Sequence, residues 1–120
     1  MKKKISEVGL IMDTTKNISD LEYQKRIWVH NQKPEIIDSY DNTVMYFKED
    51  VEAGLHGVEE GRIMITARQN ELLRQLYNKI DEYDMSTKRP NTDESIIKDP
   101  EWHQITNFAR MVYEALKNEE

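Results

Sequence analysis

The stretch from Gln32 to Glu60 carries eight carboxylates against two lysines, and its apolar residues recur with the period of a helix. That period restricts the fold more than any other feature of the chain. Successive residues of an α-helix advance about 100°, so Ile36, Ile37, Tyr40, Val44, Phe47, Val51 and Leu55 fall within one arc. Glu35, Asp38, Asp41, Glu49 and Glu52 gather on a separate arc, with Met45 and Tyr46 in or beside it. One face suits a core. The other offers dense negative charge with large apolar residues among it, as an acidic protein that meets a basic partner would. A solvated surface helix can carry the same pattern.

The remaining segments also have helical spacing. Ser19 and Glu22 form a capping-box pattern, with Ile18 and Tyr23 as its hydrophobic staple, so a helix is expected to run to about His30 and bury Leu21, Ile27 and Trp28. Pro34 breaks the chain and opens the acidic helix, or Ser39 opens it, in which case Glu35 leaves the acidic face. Thr66 and Gln69 repeat the capping-box pattern ahead of a stripe of Ile65, Gln69, Leu72, Leu73, Leu76, Ile80 and Tyr83, predicting a helix over 66–84. Ile63, Met64 and Ile65 before it could form a short extended piece. Asp99, Pro100 and Glu101 give the clearest helix start, as N-cap, first residue and dipole complement. The stripe of Trp102, Ile105, Ala109, Val112, Tyr113 and Leu116 follows. The first fifteen residues are ambiguous, because Gly9 and β-branched residues weaken the helical spacing of Ile5, Val8 and Met12. Three of the four glycines, Gly54, Gly57 and Gly61, read as a turn, and Ser86–Asp93 reads as another.

Convincing period-2 alternation is absent. The expectation is an all-α, single-domain bundle of four to five helices spanning residues 1–120, with 1–17 a segment that could attach loosely. At 120 residues one modest core is the usual outcome, and two Trp, six Tyr and two Phe can anchor it.

Charge narrows the function. The net charge is −6, and residues 31–60 alone sum to −6. That balance disfavours nonspecific nucleic-acid binding, which needs Lys and Arg to displace counterions, and suits a basic partner. The chain has no cysteine, so it offers no disulfide, thiolate nucleophile or cysteine metal site. The start, MKKKISEVGLIMD, has the basic head of a signal peptide, but its apolar run is too short and no small-residue cleavage site follows. No run approaches the roughly 20 apolar residues of a membrane span. A soluble cytoplasmic protein is expected.

No catalytic apparatus is visible. His30, His56 and His103 come from different elements and form no HxxxH or HExxH pair; satisfied surface or helix-end histidines are the commoner reading. Glu49–Asp50 and the acids at 81, 82 and 84 could pair for acid–base work, but the helical wheel puts most of them on solvent faces. GLHGVEEG lacks the lysine and preceding strand of a phosphate loop. No cofactor and no metal are expected. The helix from Thr66 carries Arg68, Arg74 and Lys79, which would suit a recognition helix, but Glu71, Asp81, Glu82 and Asp84 offset them. Ion pairing with the acidic helix is the competing reading of these cations.

A protein-binding surface is left. Its candidate residues are Asp38, Asp41, Met45, Tyr46, Glu49 and Glu52, with Met45 and Tyr46 as anchors and the carboxylates as steering charges. For Tyr46, ordinary packing near Trp28 competes with this role.

The order YQKRIWV (23–29), Pro34–Glu35, SYDNTVMYFKED (39–50), LLRQLYNKIDEY (72–83), IIKDPEWHQI (96–105) and a tail with Ala109, Val112, Ala115 and Leu116 resembles small all-helical bacterial immunity proteins of contact-dependent inhibition and related polymorphic toxin systems. The resemblance covers roughly residues 20–118, and its most specific pieces are Ser39–Asp50 and Asp99–Ile105. GRIMITARQNE departs from the acidic start expected before the long helix. The resemblance implies a non-catalytic protein that neutralises a cognate toxin domain, often a nuclease with a basic cleft. It binds no nucleic acid or membrane itself, and its oligomeric state stays open.

Overall fold

In a computed structural model of the protein, the described residues are 7–30 and 38–118. They form an all-α fold: α1 Glu7–Ser19, α2 Leu21–Gln24 continuing into a π-helical turn Lys25–Val29, α3 Tyr40–Glu59, α4 Ala67–Met85, α5 Asp93–Ile97 and α6 Pro100–Asn118. No strand occurs among the described residues, and Ile63–Ile65 has no regular structure. Counting α2 and its π turn as one element, five helices are long, and α5 is a short addition at the end of the expected 86–93 turn.

Four long helices close a ring. α1 packs on both α3 and α6, and α4 packs on both α6 and α3. The expectation of a loosely attached N-terminal segment is therefore corrected for residues 7–17. Ile11, Thr14, Thr15 and Ile18 are buried on the inner side of α1, and residues 1–6 lie outside the described part. The reason sits on α3. A Cβ on Gly54 would lie 2.2 Å from Ile11 Cδ1, so the bare glycine lets α1 approach closely. Gly57 makes the same room for Ile63. These two glycines are helical rather than part of a turn. Only Gly61, at φ 80°, takes the left-handed conformation that glycine tolerates best.

The helix starts follow local chemistry. Ser39 caps α3, its hydroxyl oxygen accepting from Asn42 N–H. The Pro34 start falls at residues outside the described part, as do Glu35, Ile36 and Ile37. Thr66 and Gln69 form both halves of the expected capping box on α4. Asp99 accepts from Glu101 N–H at the head of α6. Asp20, not Ser19, caps α2 by accepting from Tyr23 N–H at 3.0 Å. Ser19 is the last residue of α1 and donates to Lys16 C=O instead.

An aromatic cluster joins the elements at one end of the ring. Trp102 stacks near Tyr40 and Tyr83 at 5.4 Å each, and Trp28 stands edge-on to Tyr40 at 6.1 Å. Gln24, fully buried, accepts from Trp102 Nε1 at 2.9 Å and donates to Asn17 C=O and Ile18 C=O at the end of α1. One amide thus serves two carbonyls at the end of α1 and a buried indole N–H, and a leucine of similar size would remove all three bonds.

Candidate protein-binding site

α3 turns Tyr40, Thr43, Val44, Phe47 and Val51 into the core and its opposite side to solvent. Along that outer side Asp41, Met45, Glu49, Glu52 and His56 follow one another at intervals of three and four, so they form one stripe beside α4. The stripe borders two depressions in the seam between α3 and α4. The first, about 260 Å³, is lined by Asp41, Met45 and Glu49, with Lys48 and Val44 below and Asp84 across on α4. The second, about 390 Å³, is lined by Glu52, Leu55, His56 and Glu59 from α3 and by Arg74 and Tyr77 from α4.

The six sequence candidates separate here. Asp41, Met45 and Glu49 share the first depression, and Glu52 belongs to the second. Met45 is 43% exposed and Tyr46 55% exposed, so packing of Tyr46 as core beside Trp28 is corrected. Tyr46, however, lies about 100° round the helix from Met45, on the shoulder away from α4. Asp38 is taken up by the fold instead. Half-buried before the first turn of α3, its carboxylate accepts from Tyr23 O–H at 2.8 Å, from Thr43 Oγ1 and from Ser39 N–H. It ties α2 to the start of α3 and has little left to offer a partner.

In the lining of the first depression Lys48 reaches across to Asp81 at 2.8 Å and to Asp84 at 3.5 Å. Burial alone would lower its pKa, but the hydrogen bond to Asp81 and the two aspartate charges outweigh burial and hold it above the usual lysine value. Asp84 also accepts from Tyr40 O–H at 2.9 Å. Burial first, then the nearby Glu52 carboxylate, raises the Tyr77 pKa. Asp41 and Glu49, by contrast, enter no hydrogen bond or ion pair among the described residues. Two turns apart with Met45 midway, they stand exposed at the rim of the first depression.

Asp93, at the head of α5, accepts from Tyr40 N–H at 3.3 Å. Burial raises its pKa, the Tyr40 bond opposes that, and the charges of Asp41 and Asp38 add to the rise. Negative charge is thus concentrated around the first turn of α3, where the helix dipole favours it.

The cations of α4 are engaged. Arg74 bonds to Glu59 at 3.4 Å and to Asn70 at 2.7 Å, and Lys79 lies over the Phe108 ring at 5.1 Å. Arg74–Glu59 is the expected pairing with the acidic helix. Among the described residues no group of three or more His, Asp or Glu could hold a metal ion, and no helix is long and apolar enough to cross a membrane. His56 is exposed beside Glu60, and the His103 ring bonds to Ile97 C=O.

Sequence reasoning missed Asp84, Glu59 and Tyr77 as walls of the site, because the register of α4 against α3 is not written in either helix alone. Comparisons with protein-family models, with curated proteins and with solved structures gave no match.

Proposed function

We propose that the protein is an immunity protein that binds and neutralises a cognate toxin domain, its acidic α3–α4 seam meeting basic surface on that toxin. The observation that carries this reading is the pairing of two exposed carboxylates, Asp41 and Glu49, with the exposed Met45 between them. Charge of this kind speeds encounter with a cationic partner, and a desolvated apolar anchor slows departure. The sequence resemblance to small helical immunity proteins supports the same reading, and a nuclease is the toxin class whose substrate cleft offers matching positive charge. In this role the protein acts in the cytoplasm of the producing cell and needs no cofactor.

The test is co-expression with a candidate toxin domain of the nuclease class. Growth should be restored and the two chains should co-purify. A triple charge reversal, Asp41→Lys with Glu49→Lys and Glu52→Lys, should abolish protection while helicity by circular dichroism is kept. Full protection by the folded triple variant would remove the seam from the mechanism. Failure of the native chain to protect, with both proteins soluble, would reject that toxin as the partner.

A further inference from the structure

We propose that residues 86–99, the segment between the end of α4 and the head of α6, form a strap that opens as a unit while the long helices stay folded, with Arg89 as its latch. This is independent of the toxin-binding role and concerns another part of the molecule.

The strap is thinly buried. Of residues 86–99 only Ile96 and Ile97 are buried, whereas α4 before it buries Leu72, Leu73, Leu76, Ile80 and Tyr83. A segment with so little apolar burial opens at a lower free energy than the core beside it. What holds it is polar and converges on two tyrosines. Tyr83 fixes both ends: its C=O accepts from Ser86 N–H at 3.2 Å, and its O–H donates to Asp99 at 2.8 Å. Tyr40 fixes the middle. Its N–H donates to Asp93, and the Arg89 guanidinium lies 5.0 Å from its ring centroid. Arg89 also donates to Asp84 C=O at 3.3 Å and to Pro90 C=O at 3.2 Å. One side chain thus ties the turn to itself, to α4 and to α3.

A second observation favours opening. α5 packs on the π-helical turn that carries Trp28. Trp28 is 9% exposed, and its Nε1 is buried with no acceptor among the described residues. Trp102 Nε1, in the same aromatic cluster, donates to Gln24. A buried donor without an acceptor costs free energy that hydration returns. Opening the strap lets water reach the turn, so the closed form bears a cost that the open form sheds. The open form presents an indole with a free N–H, which the closed form hides.

Native-state hydrogen exchange of the full-length, isotope-labelled protein, read by NMR across low urea concentrations, tests this. The amides of Ile96, Lys98 and Asp99 are all bonded within the strap. They and the Trp28 indole N–H should share one protection, at least about tenfold below that of the Phe47 and Leu73 amides, and one urea dependence smaller than theirs. Trp28 protection equal to that of the core amides would overturn the proposal. So would strap amides that exchange without urea dependence and apart from Trp28, which is fraying of single bonds. Two variants separate the unit from the core. Ile11→Val acts at the Gly54 contact, about 21 Å along α3 from Tyr40. It should lower core protection about fivefold and leave the strap unchanged, because that contact survives in the open form. Arg89→Ala should lower strap and core protection alike by about fivefold, since the latch is lost in both opened forms. Strap protection that falls with the core in Ile11→Val, or stays unmoved in Arg89→Ala, would show that residues 86–99 are not a separate unit latched by Arg89.

Discussion

The inner and outer faces of α3 use the same kinds of residue for opposite ends. On the inner face every polar group is committed. Tyr40 O–H donates to Asp84, Tyr40 N–H to Asp93 and Thr43 Oγ1 to Asp38, all around a core of Val44, Phe47 and Val51. On the outer face Asp41 and Glu49 point at solvent beside Met45. Carboxylates three residues apart in the chain, Asp38 and Asp41, therefore fall on different sides of the division between holding the fold and facing solvent. What separates them is the Ser39 helix start, which leaves Asp38 before the first turn, together with the hydroxyls of Thr43 and the distant Tyr23 that hold its carboxylate.

The largest break in this comparison comes from the inner face. Phe47 is fully buried, and Phe47→Ala should cost about 3–5 kcal/mol, read as a lower urea midpoint. A loss under about 1 kcal/mol would mean that α3 does not carry the core as described.

High pH attacks the inner face through its hydroxyls. Burial, followed by the Asp84 bond and charge, raises the Tyr40 pKa; burial and Asp99 do the same for Tyr83. Burial and Asp38 push Tyr23 up to about 12. The unfolded chain releases these protons near pH 10 while the folded chain keeps them, so between those values the folded state binds more protons. Stability is whole below about pH 10 and falls as pH climbs toward the folded values, by up to about 1.4 kcal/mol per unit for each of the buried pair Tyr40 and Tyr83. Ultraviolet titration should therefore show their phenolate absorbance rising together with loss of helicity. Smooth ionisation near pH 10 in a fully helical protein would contradict the hydroxyl–carboxylate bonds.

Gly54→Ala probes the seat of α1. Its methyl group would collide with Ile11, itself buried, so a loss of about 1–3 kcal/mol is expected although alanine is the better helix former. Suppression by Ile11→Val in the double variant would place the loss at that contact. A stabilised single variant would show that α1 yields there.

These cases also explain what was legible in the sequence. α4 and α6 were readable because their start signals are local: Thr66 with Gln69, and Asp99 with Pro100. The apolar arc of α3 was readable from Tyr40 onward for the same reason, its period lying within one segment. α1 was ambiguous because what holds it is tertiary, the fit of Ile11 against a glycine on another helix. Gly54 and Gly57 carry the same local signal whether they turn the chain or admit a neighbour, so they were misread as a turn. α5, with five residues, is too short to show a period. In the site, the outer stripe of α3 was legible, but Asp38 was placed on it by a helix start that Ser39 supersedes. The α4 wall needed the packing of two helices.

The smallest effect on stability should come from the outer face. In the first turn of α3 the helix dipole favours the Asp41 charge by a few tenths of a kcal/mol, while Asp38 and Asp93 nearby oppose it by a similar amount. Glu49 has only its neighbour Asp50, whose pKa is raised by burial and then by the Glu49 charge. Asp41→Asn together with Glu49→Gln should thus shift stability by no more than about 0.5 kcal/mol in either direction. Binding should respond where stability does not. With two steering charges gone, association with the proposed toxin partner should slow several-fold at low salt, and its salt dependence should flatten, since exposed charges act over about one Debye length. Tyr46→Ala, on the shoulder away from α4, should change neither quantity. Stopped-flow association across a salt series separates these outcomes. An unchanged salt slope in the double variant, or a slowed association in Tyr46→Ala, would move the binding face off the seam and onto the opposite shoulder of α3.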